Sequence, residues 1–286
     1  MVKRIGFYDY KLENWHANTY VEIMRDNLPD SGYEIAVCKD MFPEEGRKWS
    51  EKTGIPYAES FEEFAEKCDY IMVLAPSNPE VHLEMAQAVL PLGKTTFIDK
   101  TFAPDLATAQ KIFELADKNG VSIITTSALR FCDEFKAVVD EVGKSGIKHM
   151  SMWGGGSSFE EYSIHPVEGI ISTMGSDVTH VMRWGDKQFS QVDMKFAGGR
   201  TATAYLYVNI EVPYMAVLTT EKKSQFLSVN SPIFVTQTKH IMDFFAKGEP
   251  TIPREESLTV REILDITNDP KNHNKWVPTR LAGKEA

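Results

Sequence analysis

The sequence predicts an α/β domain built on a doubly wound parallel sheet, followed by an α+β domain with a largely antiparallel sheet. Three observations carry that prediction. From Lys3 to Thr126, short apolar runs rich in β-forming residues alternate with segments of helical spacing, the rhythm of strand–helix–strand units. After Arg130-Phe131 the rhythm changes, and from Gln191 onward the runs QVDMKFAG, TATAYLYVNIEV, YMAVLTTEKK and SQFLSVNS alternate with period two, as antiparallel strands do. The length, 286 residues, suits two modest domains, divided near residue 125 into 1–125 and 126–286.

Lys3 to Tyr8 reads as the first strand and Asn14 to Leu28 as a helix with Asn14 as its N-cap. Tyr33 to Lys39 is the second strand. Helix Glu44 to Lys52, a short strand at Pro56-Tyr57-Ala58 and helix Phe61 to Lys67 lead to the apolar strand Tyr70 to Ala75. His82 to Leu92 has helical spacing, and Gly93 stops it where a left-handed residue is wanted. Strand Thr95 to Ile98, a helix from Ala107 to Gly120 and the strand VSIITT complete the first domain. Beyond it, helix Phe135 to Lys144 and strand Ile147 to Trp153 precede Gly154-Gly155-Gly156-Ser157-Ser158, read as a flexible break. A helix from Glu161 stops at Gly175, and helices Ile233 to Ala246 and Glu256 to Thr267 close the domain. The tail after Asn268 is expected to be loosely ordered.

Apolar content of 42% and charged content of 25% are ordinary for a soluble globular chain. No apolar run approaches the ~20 residues that cross a bilayer, and MVKRIGFYDY enters a strand without a signal-peptide core. A cytoplasmic protein with no membrane partner is the expectation. Cys38, Cys68 and Cys132 are scattered and read as reduced thiols, and neither they nor the histidines show metal-ligand spacing. A net charge of −10 argues against nucleic acid as a partner, because phosphate is repelled.

Chemistry is expected first at Lys100. It follows the strand Thr95 to Ile98, and open parallel sheets bind ligands beyond the carboxyl ends of their strands. The turn after the first strand is where a Rossmann-type fold places G-x-G-x-x-G, yet Asp9, Lys11 and Asn14 stand at the comparable places. Glycines there let the backbone approach a pyrophosphate at the helix N-terminus. Carboxylates at Asp9 and Glu13 are expected to repel it, and Lys11 to offset part of that charge. After the second strand, Lys39 suits a phosphate and Asp40 suits hydroxyl groups of a ligand; solvated charges explain the pair equally well. His16, two residues into the first helix, is a lesser candidate. Glu161 and His165 stand four apart, on one face of the helix expected there.

These residues carry a resemblance. Ala75-Pro76 through His82, then Gly93-Lys94 and Asp99-Lys100-Thr101, resemble the T-P-x-x-x-H helix and G-K-x-V-x-x-E-K-P strand end of the Gfo/Idh/MocA oxidoreductases. Ile5-Gly6 match the opening of that family's I-G-x-x-G-x-G, Arg130-Phe131 its N-x-R-F, and His165 to Glu168 ahead of Met174-Gly175 its H-x-x-D…L-G. Thr101 replaces the family's Pro, and Ala128 its Asn. The resemblance implies a nicotinamide dinucleotide held near Tyr8, Asp9, Lys11, Asn14, Lys39, Asp40, Ala75, Pro76, His82 and Asp99. It also implies a catalytic trio: His165 as acid/base, Glu161 beside it and Lys100 on the reacting oxygen.

The function so implied is NAD(P)-dependent oxidation or reduction of a sugar, polyol or related hydroxy compound. Alternatives are a sugar-modifying lyase, epimerase or hydrolase without a dissociable nicotinamide, and a non-catalytic sugar-binding or regulatory protein. A homodimer or higher homo-oligomer built on the second-domain sheet is expected, since TATAYLYVNIEV is apolar on one face and carries Tyr205 and Tyr207.

Overall fold

The computed structural model describes residues 2–280 and residue 282. The chain divides into two compact units: residues up to Thr126 with Phe234–Pro253, and Ser127–Ile233 with the segment from Arg254 onward.

In the first unit, β1 (Lys3–Asp9), α1 (Trp15–Glu22), β2 (Tyr33–Asp40), α2 (Pro43–Thr53), α3 (Phe61–Lys67), β3 (Tyr70–Val73), α4 (His82–Val89), β4 (Thr96–Asp99), α5 (Leu106–Asn119) and β5 (Ile123–Thr126) follow in order. The five strands form one sheet in the order β2-β1-β3-β4-β5, all parallel. Both faces are covered, so Phe7, Ile71, Phe97 and Ile98 are fully buried, and the strands read as continuous apolar runs for that reason. Gly6 is a packing glycine: a Cβ there would lie 2.6 Å from the Phe64 ring of α3. The helix expected to run to Leu28 ends as an α-helix at Glu22 and continues as a π-turn over Ile23–Asn27. The expected strand at Pro56-Tyr57-Ala58 is a single bridge between Cys38 and Tyr57. The late helix Ile233–Lys247 packs on this unit through all but its first residue. Tyr33 donates its hydroxyl to Met242 O at 2.9 Å, and Tyr70 stacks on Phe245 at 4.8 Å.

The second unit holds α6 (Asp133–Val142), β6 (Ile147–Gly156), α7 (Phe159–Tyr162), α8 (Ile164–Met174), β7 (Val178–Gly185), β8 (Phe189–Phe196), β9 (Thr201–Val208), β10 (Met215–Thr220) and β11 (Ser224–Ser228). The helix Ile233–Lys247, already described, is α9; α10 (Arg254–Asn268) and β12 (Val277–Pro278) are the last elements among the described residues. The sheet runs β11-β10-β6-β9-β8-β7-β12 and is antiparallel except where β6 lies parallel to β9. Met150, Met152, Val192, Met194, Ala202, Ala204 and Leu218 point from one sheet face onto Val167, Ile170 and Ile171 of α8 and Ile263 and Leu264 of α10. Each such aliphatic side chain contributes about 1.5–3 kcal/mol by leaving water.

Two expectations change here. Gly154, Gly155 and Gly156 are not a break but the end of β6, paired with Leu206, Tyr207 and Val208. The tail after Asn268 is tied down as far as Arg280, the remainder falling mostly outside the described residues: Val277 pairs with Val181, and Thr279 donates its hydroxyl to Val178 O at 2.6 Å.

Candidate functional site

In the first unit, the candidates gather at the carboxyl ends of the strands. Asp9, last residue of β1, is fully buried. Its Oδ1 accepts from Ala75 N at 2.9 Å and Lys11 N at 3.3 Å, and its Oδ2 from Asn14 Nδ2 at 2.7 Å. Burial lifts its pKa to about 7, against the pull of those donors and with Asp99 adding to the rise. Asn14 caps α1 as expected, its Oδ1 accepting from Ala17 N at 3.0 Å, while its Nδ2 also reaches Lys11 O at 2.7 Å. The loop that lacks glycines is therefore closed by its own side chains. This corrects the expected role of Asp9, whose carboxylate turns inward and does not face an incoming phosphate. Lys11 pairs with Glu45 at 2.5 Å, which raises its pKa, and Glu13 pairs with Lys52 at 2.9 Å.

Asp40 and Lys39 are engaged as well. Asp40, 3% exposed, accepts from Leu12 N at 3.4 Å, Phe42 N at 3.2 Å and the Tyr57 hydroxyl at 3.2 Å, and burial raises its pKa. Gly46 makes room for it, since a Cβ there would lie 2.4 Å from Asp40 Oδ1. Lys39 donates to Ala58 O and Glu59 O at 3.2 and 3.0 Å and lies over the Tyr57 and Phe61 rings. Tyr8 is buried edge-on to Phe61, and burial lifts its pKa to about 12.

Around Lys100 the parts interlock. Lys100 is 7% exposed and its Nζ donates to Pro76 O at 3.1 Å. Ala75, whose N–H Asp9 holds, has φ +64°, a left-handed conformation that a residue with a Cβ adopts at a cost. His82 is fully buried, with Nε2 2.6 Å from Leu74 O and Nδ1 3.0 Å from Phe102 O. It thus ties the segment after β3 to the segment after β4 as a positioning residue. Burial lowers its pKa although both carbonyls favour the charged ring. Asp99, fully buried, accepts from Lys100 N at 2.8 Å through Oδ1 and lies 2.6 Å from His16 Nδ1 through Oδ2. His16 is thus nearer the lysine's segment than its place in the sequence suggests. Trp15, 61% exposed, and Phe234 pack edge to face at 4.9 Å beside it.

In the second unit, His165 stands in the first turn of α8. Its Nδ1 is 2.8 Å from Ser127 Oγ, Ser127 N donates to Glu168 Oε2 at 2.8 Å, and Arg130 Nε donates to Glu168 Oε1 at 2.9 Å. Arg130 also pairs with Glu256 at 2.5 Å, and Lys144 binds the same carboxylate at 2.6 Å. Burial disfavours the Arg130 charge, but Glu168 and Glu256 outweigh it and raise its pKa. The Tyr162 and Tyr214 rings flank His165 at 5.7 and 5.9 Å. Glu161 sits on α7 with its N–H capped by Ser158 Oγ at 3.2 Å; the expected single helix divides at Ser163, so Glu161 and His165 lie on successive short helices. Ser127 was not among the sequence candidates, and nothing in its neighbourhood marks it. Glu168 did carry a signal, the H-x-x-E spacing. Among the described residues, no group of three His, Cys, Asp or Glu is placed to hold a metal, and no helix is long and apolar enough to cross a membrane.

The family model for Gfo/Idh/MocA, an oxidoreductase family with an NAD-binding Rossmann fold, matches residues 14–127. The uncharacterized oxidoreductase YhhX of Escherichia coli K12 is 30% identical over 237 residues, which cover 74% of this chain and 67% of that protein. The chain belongs to the Gfo/Idh/MocA family. Solved structures share its fold at low identity. Myo-inositol dehydrogenase from Lactobacillus casei, solved with NAD(H) and myo-inositol, superposes with a TM-score of 0.84 at 12% identity, over 99% of this chain and 98% of that one. GenD2 from gentamicin A biosynthesis, solved with NAD, has a TM-score of 0.81 at 13% identity, over 98% and 97% of the two chains.

Membership in Gfo/Idh/MocA brings the cofactor class, NAD(P). The family match begins at Asn14, just past the loop that departs most from the family's glycines. The residues present fit a dinucleotide there on one condition. Asp9 is turned inward and Asn14 Oδ1 accepts from Ala17 N, so the N–H groups of Trp15 and His16, which have no intrahelical partner by position, would be the donors to hold a pyrophosphate at the α1 N-terminus.

Proposed function

We propose that the chain is an NAD(P)-dependent oxidoreductase acting on a sugar, polyol or related hydroxy compound. The observation that carries this reading is the held imidazole: His165 Nδ1 on Ser127 Oγ at 2.8 Å, with Glu168 and Arg130 behind the serine. A ring held at one nitrogen presents the other in a defined direction, as a general base must. A bound nicotinamide supplies the hydride acceptor. In this reading His165 takes the hydroxyl proton as acid/base, and Lys100 has the role that the family resemblance implies, a hydrogen bond to oxygen as negative charge develops. Glu161 is the carboxylate that the family resemblance implies near the imidazole. A polyol of the inositol kind is the substrate class that the structural relative solved with myo-inositol supports.

The self-closed loop favours a second reading, acid–base chemistry without a dissociable nicotinamide. Fluorescence titration with NADH and NADPH, followed by turnover of inositols and hexoses with NAD and NADP, separates the two. Binding and turnover are expected; no binding would move the assignment to a lyase, epimerase or hydrolase. We also propose a homodimer through the open face of the second sheet, where Trp153 stacks on Tyr205 at 4.9 Å and Phe189 meets Tyr207 at 5.6 Å.

A further inference from the structure

We propose that Asp9 is a positioning residue that locks the two cofactor-side loops of the first unit together, so that the family's glycine at this place would weaken NAD(P) binding in this chain. The inference rests on the oxidoreductase reading and deepens it. A glycine-poor loop invites the opposite expectation, that removing a carboxylate and restoring backbone access strengthens the site. The hydrogen bonds argue against that. Asp9 holds Lys11 N and Asn14 Nδ2 in the loop after β1 and Ala75 N in the segment after β3. Asn14 carries the connection to the α1 N-terminus through Ala17 N. Ala75, in its left-handed conformation, leads into Pro76, whose carbonyl oxygen accepts from Lys100 Nζ at 3.1 Å. One continuous chain of hydrogen bonds and peptide links therefore runs from the N-cap of α1 through Asp9 to Lys100.

Glycine at position 9 would leave the buried Ala75 N–H without its acceptor and would take an acceptor from Lys11 N and from Asn14 Nδ2, the last of which keeps Lys11 O; a buried donor left unpaired costs more than a paired one contributes. It would also free Ala75 from the contact that fixes its backbone. Little repulsion would be relieved in return, because the carboxylate is fully buried and faces inward. Aligning Lys100 through Pro76 makes Asp9 relevant to the reaction as well as to binding.

The test uses the full chain as wild type, Asp9→Gly, Asp9→Asn and Asn14→Ala. Readouts are fluorescence titration with NADH and NADPH, amide hydrogen exchange of the apoprotein, and kcat against KM. Asp9→Gly is expected to raise the dinucleotide Kd at least about tenfold and to lose protection at the Lys11 and Ala75 amides. Asp9→Asn, whose Oδ1 still accepts from both amides but whose Nδ2 would face the Asn14 Nδ2 donor, should restore part of the affinity and the protection of both amides. Asn14→Ala keeps the carboxylate and should weaken binding less than Asp9→Gly; it carries the test if the glycine variant does not fold. Val138→Ala, in the core of the second unit, should lower Tm and leave Kd unchanged, which separates positioning from general destabilisation. Equal or tighter binding by Asp9→Gly, or unchanged exchange at both amides, would overturn the lock. Wild type that bound neither dinucleotide would overturn the oxidoreductase reading and the cofactor half of this inference, while the exchange measurement would still decide the lock.

Discussion

The loop after β1 and the end of β6 use glycine in opposite ways. A dinucleotide fold wants glycines in the first, and the chain places Asp9, Lys11 and Asn14 there; the second has three in a row, Gly154 to Gly156. In the loop, the side chains turn inward and replace backbone flexibility with hydrogen bonds. In the strand, the missing side chains make room for the rings that flank His165. A Cβ on Gly156 would lie 2.0 Å from Tyr162 Cγ, and one on Gly154 would lie 2.7 Å from Tyr214 Cε1. A glycine marks space, and only the neighbours decide whether a ligand, a backbone or a ring fills it.

The comparison breaks most visibly if either region carries no chemistry. Lys100→Met and His165→Ala are each expected to lower kcat by about 10²-fold or more, with dinucleotide Kd changing far less; steady-state kinetics paired with binding titration checks this. Equal activity in His165→Ala would remove the second unit from the reaction.

Assembly tests the face of the second sheet opposite to α8. Tyr205→Arg, beside Trp153 in the parallel β6–β9 register, is expected to convert a dimer to a monomer by light scattering at micromolar concentration. A wild-type monomer would end the dimer proposal.

The glycine strand is sharpened by Gly156→Ala. Overpacking against Tyr162 should destabilise the fold by roughly 1–3 kcal/mol in urea unfolding, and kcat should fall with it as Tyr162 moves against His165. Gly154→Ala should cost less, since the added Cβ would meet its nearest ring atom at 2.7 Å against 2.0 Å at Gly156.

For the loop, the sign of the pH dependence follows from Asp9. Its folded pKa, pushed up by burial to about 7, exceeds the ordinary carboxylate value. Its stabilising contribution is therefore complete below about pH 4 and is lost as pH rises through about 7. The groups around it are Asp99, the Lys11 and Ala75 amides and the Asn14 side chain. Urea unfolding of wild type should accordingly lose stability between pH 4 and 8 more steeply than Asp9→Asn. The smallest effect is expected at Lys11. It is exposed and already paired with Glu45, so Lys11→Ala should change dinucleotide Kd by less than about threefold.

Much of the framework was legible in local patterns. Apolar runs of strand length between segments of helical spacing marked the five strands of the parallel sheet; the helix expected to run to Leu92 ends as an α-helix at Val89, and Gly93, at φ +72°, ends the 3₁₀ turn Leu90–Leu92 that continues it. Asn14 was recognisable as an N-cap because capping is a matter of neighbouring residues. The motif positions of Lys100 and His165 were legible for the same reason, and so was the family. The glycine run was misread because composition reports freedom in an isolated chain. Its partners Leu206 to Val208 lie some fifty residues away and hold it as a strand.

By itself, then, the sequence determined the order of elements, the class of each sheet and the membership in an NAD-binding oxidoreductase family, all of which depend on periodicity and short motifs. Only the tertiary structure decided that Asp9 reaches Ala75 across 66 positions, that Ser127 rather than a helical neighbour meets His165 Nδ1 across 38, and that Asp99 meets His16. The physical reason is that a buried polar group must find a partner wherever the fold brings one within about 3 Å. Distance along the chain sets no limit on that search, and no local pattern records its outcome.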